Sequence, residues 1–527
     1  SNSEVRSMSK ARNLATLLSS DGSVKPTKYA DSVGGQSDFV ASGTLPNGTP
    51  VVLNSDGTIE AVGITSDGLN LSQSQGTQQN FASASGNTGQ PSVSFDPNDS
   101  GKFVISYPDA NASGHGKCVA GTVSGTTMTF GTPVTFHTSA STPYSHVYFD
   151  PNAVGKFVLL YVGTGSDGYY RVGTVSGTSI TFGTAAEFST VNHTFDNTQL
   201  YNTCAFDWDP HNAGKFALCY MSGYASYQEL SVVVGNRSGD TLTFGTVVQV
   251  VSGQAEYGCI AFDKAVPDKA LIAHRAPSTQ YPTVRPVTIS GTTITLGTAV
   301  VPWSNYNETA FVASTGISNV FVIAHHFNTG GTSWLRSIKV NSLTSITSSN
   351  MVNMSTRVRD IKVDPNKAGR ILVTASASNV IYVKVVTATD FSVANAVNLT
   401  IDSNLTFTAN TSYFAGSAFD PANSGKYMIA ASSATYGAAT IGQLAVTPTT
   451  SANLTSSNFI GIPNAAYTDG ETATVNLQGS TASNVSGLTA GNTYYVQTDG
   501  TLSTSAGSPS VEAGKALSST SILLKGI

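Results

Sequence analysis

Charge is scarce in this chain: of 527 residues only 11% are Asp, Glu, Lys or Arg, and the balance is −5. A nucleic-acid binder would show a basic face, and none is evident. No apolar run is long enough to span a bilayer, so membrane insertion is not expected. Cysteine is rare too. Cys118, Cys204, Cys219 and Cys259 fit no zinc or redox spacing. They read as small buried hydrophobes, with a Cys204–Cys219 disulfide left open because both should fall on neighbouring strands. The first residues, SNSEVRSMSK, have no apolar core of a secretory signal. If the protein acts outside a cell, its signal has been cleaved or it leaves by lysis. Helical periodicity is confined to VRSMSKARNLATLLSS (5–20), where Val5, Met8, Leu14, Leu17 and Leu18 fall near one face. A helix this short is marginal alone, so it is expected to dock on a partner, another copy or a parent particle.

What the chain has instead is Gly, 50 times, with Ser, Thr and Asn at most polar positions. That composition suits short strands joined by tight turns. The length is too great for one core, so two or three domains are expected.

Five stretches nearly repeat one another: FDPNDSGKF (95–103), FDPNAVGKF (149–157), WDPHNAGKF (208–216), VDPNKAGRI (363–371) and FDPANSGKY (419–427). FDKAVPDKA (from 262) is a degenerate copy, and ASTGISNVFVI (near 313) a weak one. In phase with them run SGTTMTFGT (124–132), SGTSITFGT (176–184), SGDTLTFGT (238–246) and SGTTITLGT (290–298). This makes seven repeats of roughly 50–60 residues, a period typical of propellers and solenoids. Within one repeat, PSVSF (91–95), KFVISY (102–107), KCVAGTV (117–123) and TMTFGTPVTF (127–136) read as four antiparallel strands. The expected fold is therefore all-β, a seven-bladed β-propeller of four-stranded blades. The last repeat lacks a clear fourth strand, and LNLSQSQGTQQNFAS (69–83) looks like an isolated one. It is expected to complete the seventh blade and close the ring.

The repeated turns have a sufficient structural cause. Pro fixes φ, Asp and Asn bond nearby amides, and Gly accepts positive φ. One Asp per turn does not make a calcium or sugar site. The opposite face is variable, and variable insertions on one face of a repeat protein mark its binding face. Candidate binding residues there are His115, Tyr169, Tyr170, Tyr224, Tyr227, Tyr281, Trp303, Tyr306, Trp334 and Tyr436. Tyr and Trp offer large contact area with a polar handle, suited to glycan or protein surfaces.

Both ends leave the repeat pattern. Residues 1–37 read as a helical anchor and linker, 38–68 and 459–527 as two parts of one small β module, and 69–458 as the inserted propeller. The hairpins at Asp56-Gly57 and Asp499-Gly500 share one design and are expected to pack in that module.

An enzymatic reading finds little purchase. No sialidase-type Asp-box is present, and Arg171, Arg275, Arg285, Arg336, Arg357 and Arg359 are scattered. Glycoside cleavage needs two placed carboxylates, and Glu229, Asp167 and Glu308 are not paired by sequence. His325 and His326, adjacent on a strand, point to opposite sides and are not expected to share a metal. No cofactor site is expected.

The end segments, ASGTLPNGTPVVLNSDGTIEAVG and NFIGIPNAAYTDGETATVNLQGSTASNVSGLTAGNTYYVQTDGTLSTSAGSPSVEAGKALSSTSILLKG, resemble structural proteins of tailed bacteriophages, especially marine ones. RNLATLLSSDGSVKPTKYADSVGG also resembles segments of phage fibre proteins. The resemblance implies a non-catalytic virion component, assembled in the host cytoplasm and exposed on the particle. Its partners would be other virion proteins, reached through the N-terminal helix and small β module, and a host-surface glycan or protein. A homotrimer is one assembly such a helix would support. A tail fibre or appendage is the first reading. A head decoration or vertex fibre is the second, and a secreted lectin or glycan-cleaving enzyme the third.

Overall fold

The computed structural model describes residues 35–65, 69–82, 91–109, 112, 114–138, 145–190, 206–221, 229–253, 256–304, 309–326, 332–349, 351–377, 380–389, 398–407, 414–432, 436–448 and 451–525. The expected helix at 5–20 and the linker up to residue 34 lie outside these residues, and the last residues expected as linker, Gln36 and Ser37, instead open the strand Gln36–Val40, because they pair with Asn476 and Val475. Every sheet is antiparallel, and the chain divides into two compact units: Leu71–Ala445, and Ser1–Asn70 with Val446–Ile527.

The larger unit contains seven sheets among the described residues. The first is ordered Ser92–Phe95, Lys102–Asp109, His115–Ser124, Thr127–Phe130. The others repeat that order in sequence. In the seventh, Leu69–Gln75 occupies the fourth place beside Gly437–Pro448, so a strand preceding the first sheet completes the last. Alternate residues of each middle strand bury against opposite neighbours. Phe103 and Ile105 join one apolar cluster, and Val104 joins the next. Cys118, Cys219 and Cys259 are buried free thiols in these interfaces. Cys219 is therefore not disulfide-bonded, and Cys204 lies outside the described residues.

The fourth strand differs from expectation. Residues 127–136 form two pieces, Thr127–Phe130 and Val134–His137, both paired with the third strand. The break falls at Gly131, where a Cβ would lie 2.0 Å from the Thr178 carbonyl oxygen of the next sheet. Gly297 meets Leu343 O at 2.1 Å in the same way. At Gly131 and Gly297 a glycine is thus required by close approach between neighbouring sheets, whereas the approach at Gly183 is looser, with Asp240 Cβ at 3.1 Å; Pro133 supplies no ladder donor just beyond Gly131.

The repeated DPN turn proves to be the fastening between sheets. Its aspartates, Asp96, Asp150, Asp209, Asp263, Asp364 and Asp420, are all at most 2% exposed. One oxygen of each caps its own turn, as where Asp96 Oδ1 accepts the Asn98 amide at 2.8 Å. The other oxygen of Asp96 accepts the Gly155 amide of the second sheet at 2.6 Å. Asp150 ion-pairs with Arg237 of the third at 2.6 Å. His211 Nε2 of the third sheet donates to the Asp263 carbonyl of the fourth at 3.2 Å. Asp263 Oδ2 accepts the Asn319 amide of the fifth at 2.7 Å. The Gly369 amide of the sixth donates to Thr315 O at 2.7 Å, and Asn366 donates to Pro421 O of the seventh at 3.1 Å. Asn423 then reaches Ser100 of the first sheet at 3.5 Å. The series returns to its start, so the seven sheets close on themselves.

The weak fifth copy follows the same plan with other residues. Thr315 stands in the aspartate's place, fully buried, and its hydroxyl donates to Val320 O at 2.8 Å. The turn glycine has φ near +70° in five copies, and Asp268 (φ 59°) and Asn319 (φ 61°) hold that conformation in the other two. Asn and Asp tolerate the left-handed region better than other L residues.

The smaller unit contains two five-stranded sheets. Their orders are Gln36–Val40, Thr472–Leu477, Phe459–Pro463, Val51–Leu53, Ile59–Ala61, and Thr481–Ala482, Ile522–Leu524, Val511–Ala516, Thr493–Val496, Leu502–Ser503. A two-stranded ladder pairs Ile64–Thr65 with Ser451–Ala452.

Gly155 tests the fastening. It has φ +69°, and an added Cβ would lie 2.6 Å from Val175 O. Gly155→Ala is expected to cost about 2 kcal/mol, whereas Asn319→Gly gains up to about 1 kcal/mol by relieving the left-handed side chain. Urea denaturation measures both. An unchanged midpoint for Gly155→Ala would contradict the close approach.

Candidate functional site

The face opposite the fastened turns is built by the far ends of the second and third strands. Tyr107, Tyr161, Tyr220, His274 and His325 take one equivalent place in the first five sheets, near the end of the second strand. All five are buried. Across the ladder from them stand Lys117, Tyr169, Ser231, Thr283 and Trp334. Two of the candidate aromatics, Tyr169 and Trp334, thus share a structural position on different sheets, and both are half-buried.

Tyr169 has the clearest surroundings. Its ring stacks on Tyr161, with centroids 5.7 Å apart and planes 23° apart. Gly163 leaves room for it, since a Cβ there would meet the ring at 2.2 Å. Partial burial and the nearby carboxylates of Glu187 and Asp167 raise the Tyr169 hydroxyl above its usual pKa, with Glu187 also bonded to it. An aromatic face held rigidly beside two carboxylates suits the C–H face and hydroxyls of a sugar, or a polar protein loop.

Four other candidates are also half-buried: His115 in the first sheet, Tyr281 beside the fourth, Trp334 in the fifth and Tyr436 beside the seventh. Near His115, Lys117 ion-pairs with Asp109 at 2.5 Å. The Tyr281 carbonyl accepts the Ala276 amide at 2.9 Å. These residues are distributed around the sheets, one to each, and the described contacts do not gather them in one pocket. Tyr224, Tyr227 and Tyr306 lie outside the described residues.

Two candidates are corrected. Tyr170 is 5% exposed, and its hydroxyl donates to Leu242 O at 3.3 Å and accepts the Leu242 amide at 3.2 Å. Successive residues of a strand face opposite ways, so exposing Tyr169 commits Tyr170 to the interface with the third sheet. Trp303 is 9% exposed; it packs on His325 at 4.0 Å and carries the Arg336 guanidinium at 5.0 Å from its ring centre. Arg336 is anchored by Pro302 O and Ser348 Oγ, both at 3.0 Å. Both residues are interior braces.

Sequence reasoning missed the placing of buried imidazoles beside cations. Burial holds His274 down to about 4, helped by Arg285. Burial and then Arg336 and His326 hold His325 well below its usual value. Burial, Arg357 and Arg359 hold His326 down to about 4. His325 and His326 do point to opposite sides: one packs on Trp303, and the other lies 3.4 Å from Ser333 Oγ. On the first strand of the second sheet, Ser145–Phe149, burial and Lys362 outweigh Asp360 and hold His146 to about 4. Among the described residues, no group of three or more His, Cys, Asp or Glu is placed to hold a metal ion.

No family model matches the sequence, and no curated protein matches it. Among solved structures, the chain is similar to the BP39L lectin from Burkholderia pseudomallei, at 10% identity and TM-score 0.48, over 70% of this chain and 97% of that one. It is similar to the WD40 domain of Toxoplasma gondii coronin at 8% identity and TM-score 0.46, over 81% and 93%. It is also similar to Chaetomium thermophilum Sqt1 bound to the N-terminus of the ribosomal protein L10, at 13% identity and TM-score 0.40, over 67% and 86%.

The imidazoles set a pH dependence. A histidine at 6.5 unfolded and about 4 folded stabilises the fold fully above pH 6.5 and loses that contribution as pH falls towards 4. In that window His146, His274 and His326 should each lower stability as the pH falls, because the unfolded chain takes up the proton that the folded one refuses. The melting temperature is therefore expected to drop steeply from pH 6.5 to 4.5. His274→Tyr, which places the residue of the first three sheets there, should make the drop shallower. A flat melting profile for the wild type contradicts the burial of neutral imidazoles.

Proposed function

We propose that this chain is a non-catalytic recognition protein: a seven-bladed β-propeller carried by a small β module on the virion of a tailed bacteriophage, in a tail fibre or similar appendage. The observation that carries the recognition reading is the contrast between the two faces. On one, the repeated aspartates are buried and bonded within the fold. On the other, the half-buried rings of Tyr169 and Trp334 stand at one equivalent position of two different sheets. Such a face makes many separate, weak contacts, and copy number on a particle makes them multivalent. The ligand is a glycan or protein of the host surface. The virion reading rests on the resemblance of the end segments to phage structural proteins.

Binding of the purified chain to candidate host cells tests this reading. Tyr169→Ala and Trp334→Ala should each weaken binding about tenfold while the protein stays folded. Tyr170→Phe, which alters only an interior hydroxyl, should leave binding unchanged. Wild-type binding that survives the double substitution Tyr169→Ala with Trp334→Ala rules out this face as the receptor site. An antibody to the chain that fails to label phage particles rules out the virion assignment.

A further inference from the structure

We infer that the smaller unit is a tandem duplication of one five-stranded module, and that the seven-sheet unit is a guest inserted into a single connection of the first copy. The two sheets have the same strand order: first, fifth, fourth, second, third in order along each copy. The hairpins superpose in sequence, since VVLNSDGTI (51–59) aligns with YYVQTDGTL (494–502) without a gap.

The match extends to individual bonds. Asp56 Oδ1 accepts the Thr58 amide at 3.0 Å and the Thr58 hydroxyl at 2.7 Å. Asp499 Oδ1 accepts the Thr501 amide at 2.9 Å and the Thr501 hydroxyl at 2.6 Å. Around them, Asn54 N–Thr58 O and Gly57 N–Asn54 O correspond to Gln497 N–Thr501 O and Gly500 N–Gln497 O. Leu45 and Leu488, equivalent residues ahead of the hairpins, are both buried.

The irregularities coincide as well. Val51 faces Gly461 and Val52 faces Phe459, with a register shift between them. Tyr494 faces Gly514 and Tyr495 faces Glu512, with the same shift at the same step. A Cβ on Gly461 would lie 2.0 Å from Asn476 O, and one on Gly514 would lie 2.0 Å from Leu523 O. Those two carbonyls are themselves equivalent, because Gly461 pairs with Leu477 and Gly514 with Leu524. A bulge is a specific local device, and two sheets that reached this topology separately would have no reason to share its position.

The copies differ at one connection. In the second copy, the third strand, Leu502–Ser503, is joined to the fourth, Val511–Ala516, by residues 504–510. In the first copy, residues 62–458 lie between Ile59–Ala61 and Phe459–Pro463. The chain leaves and re-enters beside itself, because Thr65 pairs with Ser451 and Ile64 with Ala452. The module therefore supplies a connection that tolerates a guest, and residues 504–510 are its unused counterpart.

The test is made in the full chain. A small folded domain with adjacent termini is inserted between Ser505 and Ala506, the positions aligned with Val62 and Gly63. In parallel the same domain is inserted between Asp499 and Gly500, inside the turn both copies retain. Hydrogen exchange at Val475 and Ile522 reads each copy. Protection within about threefold of wild type for the first insertion, and its loss for the second, is the expected result. Equal loss from both insertions overturns the inference. Gly461→Ala and Gly514→Ala supply a second arm: each should lower protection of its own sheet at least about tenfold. A silent result at one glycine alone shows that the two bulges are not equivalent and overturns the duplication.

Discussion

A buried carboxylate needs a donor for each lone pair it keeps from water, or it costs more than its turn contributes. The larger unit is organised around that requirement. At Asp96, Asp150 and Asp263 one oxygen is spent on the residue's own turn, and the other takes a donor from the following sheet. At Asp209, Asp364 and Asp420 the second oxygen is satisfied locally, by Asn212, Arg370 and Asn423. There the link to the next sheet passes through His211, Asn366 and Asn423 instead. At Asp96, burial still outweighs the bonds and pushes the carboxyl above its usual range. A face so constrained cannot vary freely, and residues that recognise a ligand have to be found on the other one.

This division explains what was legible in the sequence. The repeat was visible because Asp, Gly and Lys serve the turn at fixed offsets. The copy near 313 was visible by spacing alone, since Thr315 and Asn319 do the work of Asp and Gly there. The closing strand at 69–75 could be recognised because it keeps the polar alternation of the other fourth strands. The break in those strands could not, because the cause at Gly131 is a carbonyl 47 residues away on another sheet. For Tyr170 the signal was present: it shares its phase with Val172, which is fully buried. Trp303 gave no such signal. It lies in the connection ahead of the fifth sheet, its neighbours His325 and Arg336 come from the second and third strands of that sheet, and only the fold brings them to it.

One structural position also carries different chemistry around the unit. Tyr107, Tyr161 and Tyr220 are followed at the same place by His274 and His325. A buried tyrosine stays neutral across the physiological range, and burial raises the Tyr107, Tyr161 and Tyr220 hydroxyls further. A buried histidine stays neutral only while the surroundings oppose its proton. The fourth and fifth sheets provide that opposition chiefly by burial, with Arg285 and Arg336 adding to it. At this one position the fourth and fifth sheets respond to mild acid and the first three do not, while His146 gives the second sheet a response of its own.

The insertion and the closing strand answer the same physical problem. A guest can be accommodated at small entropic cost only if its ends lie close together, because loop closure otherwise constrains the host. The seven-sheet unit meets this condition through its own closure. Leu69–Gln75, by which the chain enters, lies beside Gly437–Pro448, by which it leaves. The module meets it again with Ile64–Thr65 beside Ser451–Ala452. Two paired strands in series therefore hold the entering and leaving chain together. Closing the seventh sheet with a strand from the start of the unit both removes its open edge and places its ends where a single loop of the host can carry them.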